Sequence, residues 1–428
     1  MGFFNFRANR SIGIDLGTAN TLVYSKKHKK IVLNEPSVVA VEKETKKVLA
    51  VGNEAREMLG KTPDTIVAVK PLSEGVIADY DITEAMIKYF IKKIFGSYSF
   101  FMPEIMICVP IDVTGVEKRA VLEAAISAGA KKAYLIEEAR AAALGSGMDI
   151  AAPEGNMIID IGGGSTDVAI ISLGGTVVSK TIRIAGNNFD NDIVKYVKKT
   201  YNLLIGDRTA EEIKIKIGTA LPLEEEETIE VKGRDLLMGL PKVITITSEE
   251  VREAIKDSLD QILQCIRTVL EKTPPELAAD IVDKGMMMTG GGSLIRNFPE
   301  MITKYTNLKV NLAENPLESV VIGAGLALDQ IDVLRKIEKA ERYTPDMYNY
   351  ANNTDVYQIW ADMVAFDEIR NANLNDDLEK NYRIALEFSA ELFSRNIENE
   401  DEKSKIKDKT LRNLYSDLMV VDNLNIDT

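Results

Sequence analysis

Histidine, cysteine and long apolar runs are scarce in this chain of 428 residues. Its single histidine, His28, lies among lysines, which argues against histidine catalysis and against a histidine-rich metal site. Its two cysteines, Cys108 and Cys265, both lie in apolar runs. We therefore expect buried free thiols of a reducing compartment rather than a disulfide framework. No run approaches the roughly 18 apolar residues of a membrane-spanning helix, and residues 1–10 lack the apolar core of a signal peptide.

Acidic residues outnumber basic ones, giving a formal net charge of -14. This balance argues against general nucleic-acid binding, which needs a basic surface. The excess is uneven, because residues 331–428 hold 21 acidic and 13 basic residues, a net -8. Hydrophobic residues make up 45% of the chain, which is typical of a folded protein with real cores.

Two glycine strings of the same type stand out, Asp15-Leu16-Gly17-Thr18-Ala19-Asn20 and Asp160-Ile161-Gly162-Gly163-Gly164-Ser165-Thr166-Asp167. Each follows an apolar run that is typical of a buried strand. Glycine lets backbone N–H groups approach phosphate oxygens closely, and an aspartate can hold a water of bound Mg²⁺. One such turn is weak evidence, but two of them indicate two similar half-domains that grip one nucleotide from opposite sides.

A third glycine string, Thr289-Gly290-Gly291-Gly292-Ser293, follows another apolar run. The order of the three strings resembles the superfamily of actin, sugar kinases and heat-shock chaperones. Within it, the chain resembles the MreB family of bacterial actins. The motifs that carry this resemblance are residues 12–22, Asn34-Glu35-Pro36-Ser37-Val38-Val39-Ala40, residues 75–80, Cys108-Val109-Pro110, Leu135-Ile136-Glu137-Glu138 and Thr289-Gly290-Gly291-Gly292. The resemblance runs from about residue 10 to about residue 330, and the last hundred or so residues have no counterpart in an ordinary family member.

Strand and helix patterns alternate in both halves, which predicts an α/β protein with two doubly wound sheets. The resemblance implies an actin-like two-lobed ATPase in which each lobe is a mixed sheet with a smaller inserted subdomain. Lobe I is expected at residues 1–150 with its insertion at about 34–75. Lobe II is expected at 151–334 with its insertion at about 186–250. Residues 335–428 would form an acidic helical extension that is partly mobile at its end.

The resemblance also assigns roles to individual residues. Those expected to bind the phosphates of ATP or ADP are Gly17, Thr18, Ala19 and Asn20 from one lobe and Gly162, Gly163, Gly164 and Ser165 from the other. Those expected around the ribose and adenine are Glu211, Lys214, Gly290, Gly291, Gly292 and Ser293. Asp15 and Asp160 would hold the water shell of Mg²⁺. An ordinary solvated pair on a helix surface is the alternative for Glu211 and Lys214.

Glu138 is expected to place the attacking water, with Glu137 as its rival, and Ser165 would contribute a catalytic hydroxyl. Two residues depart from the usual family pattern here. Ala139 replaces a proline, and Ser165 replaces a threonine and lacks the methyl group that restricts the rotamer. We expect hydrolysis to survive, at a lower rate.

Helix boundaries follow from local signals. Thr209 is predicted to cap a helix ending at Ile217, with Glu212 as its capping-box partner, and Ser248 to cap a helix ending at Glu271. Another helix is predicted over residues 83–95. The glycines Gly323 and Gly325 resemble a second hinge, where a helix packs tightly against the sheet.

Two aromatic segments predict contact with a membrane. Phe3, Phe4 and Phe6 are followed by two arginines, and Phe100, Phe101 and Met102 lie in a loop between a helix and a strand. Exposed aromatic residues beside cations suit an anionic membrane surface, and family members commonly bind membranes with matching regions. Burial of either segment against the body is the alternative.

The extension contains the single tryptophan, Trp360, and apolar residues at helical spacing. This pattern predicts an ordered helical appendage that packs on the body or on a neighbouring subunit. A disordered acidic tail is the alternative.

The resemblance therefore implies a slow ATPase that polymerises with itself into filaments on the inner face of the cytoplasmic membrane and governs bacterial cell shape. Its location would be cytoplasmic and peripheral on that membrane, with other cytoskeletal or morphogenetic proteins as further candidate partners and no nucleic acid. The alternatives are a filament protein that binds nucleotide with weak or no hydrolysis, a chaperone-type ATPase, and a metabolite kinase. The extension is too short and too helical for the β-domain of a chaperone, and no convincing acceptor-binding aspartate marks a kinase.

Overall fold

Strands and helices alternate along both halves of the chain in the computed structural model, which describes residues 11–73, 76–96 and 103–328. All of these belong to one unit that extends to Asp329. The segments predicted to bind a membrane, Phe3, Phe4, Phe6, Phe100, Phe101 and Met102, lie outside the described residues, as does the extension at 335–428. In the described ranges, no helix is both long and apolar enough to cross a membrane.

The first half builds a five-stranded mixed sheet with the order β10-β9-β1-β2-β3 and a three-stranded sheet with the order β5-β4-β6. Its elements are β1 (Ile12–Leu16), β2 (Asn20–Ser25), β3 (Lys30–Pro36), β4 (Val39–Glu42), β5 (Val48–Val51), α1 (Asn53–Met58), β6 (Ile66–Val69), β7 (Leu72–Ser73), β8 (Val76–Ile77), α2 (Tyr80–Phe95), β9 (Glu104–Val109), α3 (Gly115–Ser127), β10 (Lys132–Glu137) and α4 (Glu138–Gly145).

The second half builds a five-stranded mixed sheet with the order β13-β12-β11-β17-β18 and a three-stranded sheet with the order β14-β15-β16. Its elements are β11 (Asn156–Ile161), β12 (Thr166–Ser172), β13 (Gly175–Ile182), α5 (Gly186–Tyr201), β14 (Leu203–Leu204), α6 (Asp207–Ile217), β15 (Thr228–Asp235), β16 (Pro241–Thr247), α7 (Ser248–Glu271), α8 (Pro275–Lys284), β17 (Met286–Thr289), α9 (Phe298–Thr306), β18 (Val310–Leu312) and α10 (Ser319–Ala327). A 3₁₀ turn, Gly291–Leu294, follows β17.

The two main sheets repeat one plan. In the first, β1 pairs antiparallel with β2 and parallel with β9. In the second, β11 pairs antiparallel with β12 and parallel with β17. The predicted two-lobed fold with a mixed sheet in each lobe is therefore confirmed. Because β1–β2 and β11–β12 are equivalent hairpins, the two glycine strings lie at equivalent turns of the two lobes.

Each sheet has its own hydrophobic core. In the first lobe, Met86 and Phe90 of α2 belong to the same core as Ile14 and Ile107 of the sheet. In the second lobe, Phe189 of α5 belongs to a larger core that includes residues of α7 and α9. Full burial of one such side chain contributes on the order of 1.5–3 kcal/mol, so each lobe has enough apolar contact to hold its sheet rigid.

Helices α4 and α10 connect the lobes and touch at glycines. A Cβ added at Gly323 would collide with the carbonyl of Ala141, and one added at Gly145 would collide with the carbonyl of Ser319. Gly325 lies against the ring of Tyr24 in β2. The tight packing predicted for Gly323 and Gly325 is thus confirmed, with α4 as well as the sheet as its partner.

Two predicted helix caps are wrong. Helix α6 begins at Asp207 after Gly206 and has no side-chain cap, so Thr209 lies in its first turn, where its N–H donates to the Gly206 carbonyl at 3.0 Å. Helix α7 is capped by Thr247, whose hydroxyl accepts from the Glu250 N–H at 3.2 Å.

The hydroxyl of Ser248, the predicted cap of α7, instead accepts from the Glu227 N–H at 3.1 Å. Helix α2 begins at Tyr80, earlier than predicted, because Asp79 accepts from the Ile82 N–H at 3.1 Å. Thr247 and Asp79 thus provide the caps of α7 and α2, and α6 has no side-chain cap, which the residue types alone did not reveal.

Candidate functional site

The two glycine turns face each other across the cleft between the lobes. A Cβ added at Gly163 would lie 2.9 Å from the Cβ of Ala19 and 3.3 Å from its backbone nitrogen. A larger residue at position 163 would push the two turns apart. The structure therefore brings together the two sets of residues that were predicted to bind phosphate.

Each turn is braced from behind through its carbonyl groups. In the first, the Ser37 hydroxyl donates to the Gly17 carbonyl at 2.6 Å, and the Ser37 N–H donates to the Ala19 carbonyl at 3.0 Å. In the second, the carbonyls of Gly162 and Gly163 accept from the first N–H groups of α5 at 3.1 and 2.8 Å. These hydrogen bonds restrain the backbone conformation of both turns.

The third glycine string passes directly behind the second turn. Gly290 has φ +83, and a Cβ there would lie 2.5 Å from Asp160 Oδ1. A side chain at this position would be strained and would also displace the carboxylate. The Ser293 hydroxyl donates to the Gly290 carbonyl at 2.5 Å and shapes the turn, and its predicted contact with adenosine stays a prediction.

Four carboxylates converge where the cleft meets the ends of the strands: Asp15, Glu138, Asp160 and Asp167. Burial raises the pKa of Asp15 to about 7. Burial, and then repulsion from Asp167, Asp15 and Asp160, raises the pKa of Glu138 well above its usual range. Burial, and then repulsion from Asp167 and Asp15, does the same to the pKa of Asp160.

The buried Asp160 Oδ1 has no hydrogen-bond partner among the described residues. Such an oxygen fits the coordination shell of a cation. No group of three or more histidine, cysteine or acidic side chains in the described ranges has a metal-binding arrangement.

Asp167 belongs to this cluster, although the sequence analysis assigned it no role. Burial raises its pKa to about 6, against the opposing effect of a 2.5 Å hydrogen bond from the Thr181 hydroxyl. It also accepts from the Ile111 N–H of lobe I at 3.4 Å. The sequence feature that could have identified Asp167 was its position at the end of the second glycine string.

The neighbouring Glu137 and Glu138 have different surroundings. Glu137 Oε2 accepts a hydrogen bond of 2.8 Å from the Thr176 hydroxyl of β13. Glu138 is the first residue of α4 and lies close enough to Asp15, Asp160 and Asp167 for their charges to raise its pKa. The charge of Glu137 also acts on Asp167, whereas Glu138 is affected by all three of these aspartates.

Glu211 and Lys214 of α6 are both engaged in ion pairs. Glu211 pairs across the cleft with Arg56 of lobe I at 2.6 Å. Lys214 pairs with Asp190 of α5 at 2.8 Å and donates to the Gly186 carbonyl at 3.0 Å, beside the second glycine turn. Neither is an ordinary solvated residue, and their roles at the ribose or adenine stay predictions.

Comparison with known proteins gives the site its family context. The MreB/Mbl protein family model matches residues 9–336. Cell shape-determining protein Mbl of Bacillus subtilis (strain 168) is 52% identical over 327 residues, which cover 76% of this chain and 98% of the relative. Cell shape-determining protein MreB of Escherichia coli (strain K12) is 47% identical over 331 residues, which cover 76% of this chain and 95% of the relative.

Solved structures give a consistent result. MreB5 of Spiroplasma citri, crystallised with ADP, is 39% identical with a TM-score of 0.73 and covers 77% of this chain and 99% of its own. A second structure of that protein contains AMPPNP. The MamK double helical filament shares the fold, with a TM-score of 0.64 at 23% identity over 74% of this chain and 98% of its own. The chain belongs to the MreB/Mbl family of actin-like proteins.

Proposed function

We propose that this protein binds and hydrolyses ATP and polymerises into membrane-associated filaments that govern cell shape. The observation that carries the proposal is the meeting of the two glycine turns at Ala19 and Gly163, beside the unpaired oxygen of Asp160. Relatives support it, because Mbl and MreB are named as cell shape-determining proteins and MreB5 was crystallised with ADP and with AMPPNP.

Phosphate binding would use both turns at once. Residues 17–20 would contribute donors from lobe I and residues 162–165 from lobe II, with no Cβ at the glycines to keep the phosphate oxygens away. Because the turns belong to different lobes, a triphosphate between them would hold the cleft closed.

The residues present fit a magnesium site. Asp15 and Asp160 would hold the ion through its water shell, since both carboxylates lie in the cleft and Asp160 Oδ1 is unpaired. Bound Mg²⁺ would offset the negative charge of the phosphates.

Hydrolysis would depend on Glu138. Its carboxylate would orient a water for attack on the γ-phosphorus and accept a proton from it, while the bond to the ADP oxygen breaks. A raised pKa suits this role because it makes the carboxylate a better base near neutral pH. The Ser165 hydroxyl, buried at the end of the second turn, would donate to the phosphate.

Contacts of α6 and of the third glycine string would complete the nucleotide site. Glu211 and Lys214 would reach the ribose or the adenine edge. Residues 290–293 would contact the adenosine from the opposite side. Because Glu211 already pairs with Arg56, nucleotide binding and cleft closure would share this carboxylate.

Self-association is supported by an exposed apolar tip. The turn between β15 and β16 presents Leu237, Met238 and Leu240, which are 79%, 72% and 60% exposed. The Asp235 carboxylate accepts from the Leu237 and Met238 N–H groups at 2.8 and 2.9 Å and so orders this turn. An ordered apolar protrusion suits a contact with another subunit, and a contact between unlike surfaces builds a filament.

Membrane association would use the aromatic segments at Phe3, Phe4 and Phe6 and at Phe100, Phe101 and Met102. Changing Phe100 and Phe101 to serine should lower liposome co-sedimentation, since each phenylalanine that enters an apolar phase contributes on the order of 1.5–3 kcal/mol. Unchanged binding after this change and after removal of residues 1–6 would contradict the membrane part of the proposal.

The decisive experiment is sedimentation of the full chain with ATP or ADP, with and without liposomes, combined with measurement of phosphate release. We expect the protein to polymerise when ATP is present and to release phosphate as it does so. We also expect the polymer to co-sediment with liposomes. Absence of ATP-dependent polymer would refute the proposed function.

A filament protein with weak or no hydrolysis is the second candidate, because Ala139 and Ser165 depart from the usual family pattern. It predicts ATP-dependent polymer without phosphate release. Family membership leaves the chaperone alternative without support.

A further inference from the structure

A basic hairpin tip stands out in this acidic protein. Strands β2 and β3 pair with Ser25 opposite Lys30, so residues 26–29 form the turn, with Lys29 at φ 49. Lys27, His28, Lys29 and Lys30 are exposed. Lys26 is directed elsewhere, since its Nζ donates to the Leu328 carbonyl at 3.2 Å.

Lys27, Lys29 and Lys30 have no neutralising partner in the part of the chain that the structure describes. No described carboxylate forms an ion pair with Lys27, Lys29 or Lys30. The sequence around them contains no acidic residue from position 16 to position 34. Their charges are therefore available to an external anion.

A second cationic segment lies next to the tip. The last turn of α2 carries Lys92 and Lys93, and residues 85–103 contain no acidic residue. One cavity of about 500 Å³ is lined both by Lys27 and His28 of the hairpin and by Lys93 and Phe95 of α2.

The acidic residue that lines this cavity, Glu35, is already paired with Lys93 and is largely buried. The hairpin thus borders the end of α2, and we define the basic surface as the exposed Lys27, His28, Lys29 and Lys30. It lies in a chain whose net charge is -14.

We propose that this basic surface binds the headgroups of anionic lipids. The inference rests on the proposed membrane association, to which it adds a polar contact. Helix α2 ends at Phe95 beside the basic surface, and the chain then enters the segment whose aromatic residues are predicted to enter the bilayer. Lysines at this position would lie at headgroup level, where each attracts an anionic leaflet.

Electrostatic attraction of this kind has a recognisable signature. It weakens with salt, because the Debye length is about 8 Å at physiological ionic strength, whereas insertion of aromatic residues does not. It also requires anionic lipid, so vesicles of phosphatidylcholine alone should not support it.

The test uses the full chain with Lys27, Lys29 and Lys30 changed to glutamine. The matched control changes Lys43, Lys46 and Lys47, three exposed lysines in and beside the turn between β4 and β5 of the same lobe. Both variants lose three positive charges, and nucleotide binding checks that each is folded. Co-sedimentation is measured with vesicles of phosphatidylcholine, with and without phosphatidylglycerol, at low and high salt.

We expect the hairpin variant to bind phosphatidylglycerol vesicles roughly 100-fold more weakly at low salt, since each of the three lysines near an anionic surface contributes about a factor of five. The control variant should bind like the original chain. The difference should disappear at high salt or without phosphatidylglycerol.

Equal binding by the hairpin variant, or an equal loss in the control, would overturn the inference and leave the proposed membrane association intact. The inference is also overturned if the hairpin variant keeps its vesicle binding and loses only binding to heparin, a soluble polyanion. If the original chain binds no vesicles and the variant with Phe100 and Phe101 changed to serine behaves identically, the membrane part of the proposed function fails and the inference fails with it.

Discussion

The Thr176 hydroxyl donates a hydrogen bond of 2.8 Å to Glu137 Oε2, and this contact separates two adjacent glutamates by environment. Glu137 is tied to β13 of lobe II. Glu138 instead lies within the electrostatic reach of Asp15, Asp160 and Asp167. The proposed water-placing role therefore falls on Glu138.

Changing Glu138 to alanine should lower ATP hydrolysis by roughly 10²-fold or more, the usual scale for a positioned acid or base. ATP binding should change little, because Glu138 is not expected to bind the phosphates. The matched control is Glu137→Ala, which should retain most of the activity. Single-turnover phosphate release measures both, and a large loss in the Glu137 variant with normal turnover in the Glu138 variant would reverse the assignment.

Asp15→Ala and Asp160→Ala should each weaken Mg²⁺-dependent ATP binding, by about tenfold or more, because the ion's water shell loses an anionic partner. Fluorescent-nucleotide titration with Mg²⁺ and with EDTA measures the effect. The difference between the two conditions should shrink in both variants. Unchanged affinity in both variants would exclude the site as proposed.

Arg56→Ala should weaken nucleotide binding by roughly two- to fivefold, the scale of a partly exposed ion pair, because Arg56 joins the lobes through Glu211. The matched control is Arg208→Ala, which breaks the pair of Arg208 with Glu212 within α6. Stopped-flow release of ADP should be faster only in the Arg56 variant. In a chain that already carries Glu211→Ala, the Arg56 change should have no further effect, and an undiminished effect there would show that the two residues act separately.

Stability of the nucleotide-free protein should fall as pH rises toward neutrality. The folded protein raises the pKa of Asp15 to about 7, so it holds a proton that the unfolded chain has already released. That stabilisation is complete below the unfolded pKa near 4 and is lost as pH rises through about 7.

Thermal unfolding in EDTA should therefore begin several degrees lower at about pH 8 than at about pH 5.5, since about 1 kcal/mol corresponds to roughly 2–4 °C in a large domain. Asp15→Asn should flatten this dependence, whereas Asp283→Asn, at an exposed position in α8, should not. A pH dependence that is the same in both variants would contradict the assignment.

Changing Leu237 and Met238 to serine should raise the protein concentration needed for ATP-dependent polymer by about tenfold. Both side chains are exposed in the described subunit, so the free energy of unfolding should change by no more than about 0.5 kcal/mol. Val116→Ser, at a position that is 80% exposed in lobe I, is the control. Sedimentation at several protein concentrations measures the effect. If the variant polymerises at the same protein concentration as the original chain, the apolar tip between β15 and β16 is not part of the subunit contact.

Much of the proposed site could be predicted from the amino-acid sequence. A buried strand, an aspartate and a glycine turn make a local signal, and the chain uses it at Asp15 and again at Asp160. The third string, Thr289–Ser293, was recognisable from its apolar strand and its glycines, although a threonine stands in place of the aspartate. In all three strings, the proposed contacts depend on backbone conformation and on adjacent residues. A short stretch of sequence is therefore enough to predict them.

Helix ends were less predictable. Thr209 and Ser248 both have residue types that favour a cap, yet Gly206 and Thr247 stand at those positions. A cap depends on one hydroxyl reaching one N–H, and neighbouring residues compete for that geometry.

The sequence by itself determined the fold class, the two glycine turns and the order in which they occur, because each depends on local backbone chemistry repeated in two halves. Only the tertiary structure decided that Asp167 joins the carboxylate cluster, that Glu137 faces Thr176, and that Arg56 reaches Glu211 from the other lobe. These contacts join residues that are distant along the chain. Their distances depend on how the packed sheets and the α4–α10 contact hold the lobes together, and no local pattern encodes that.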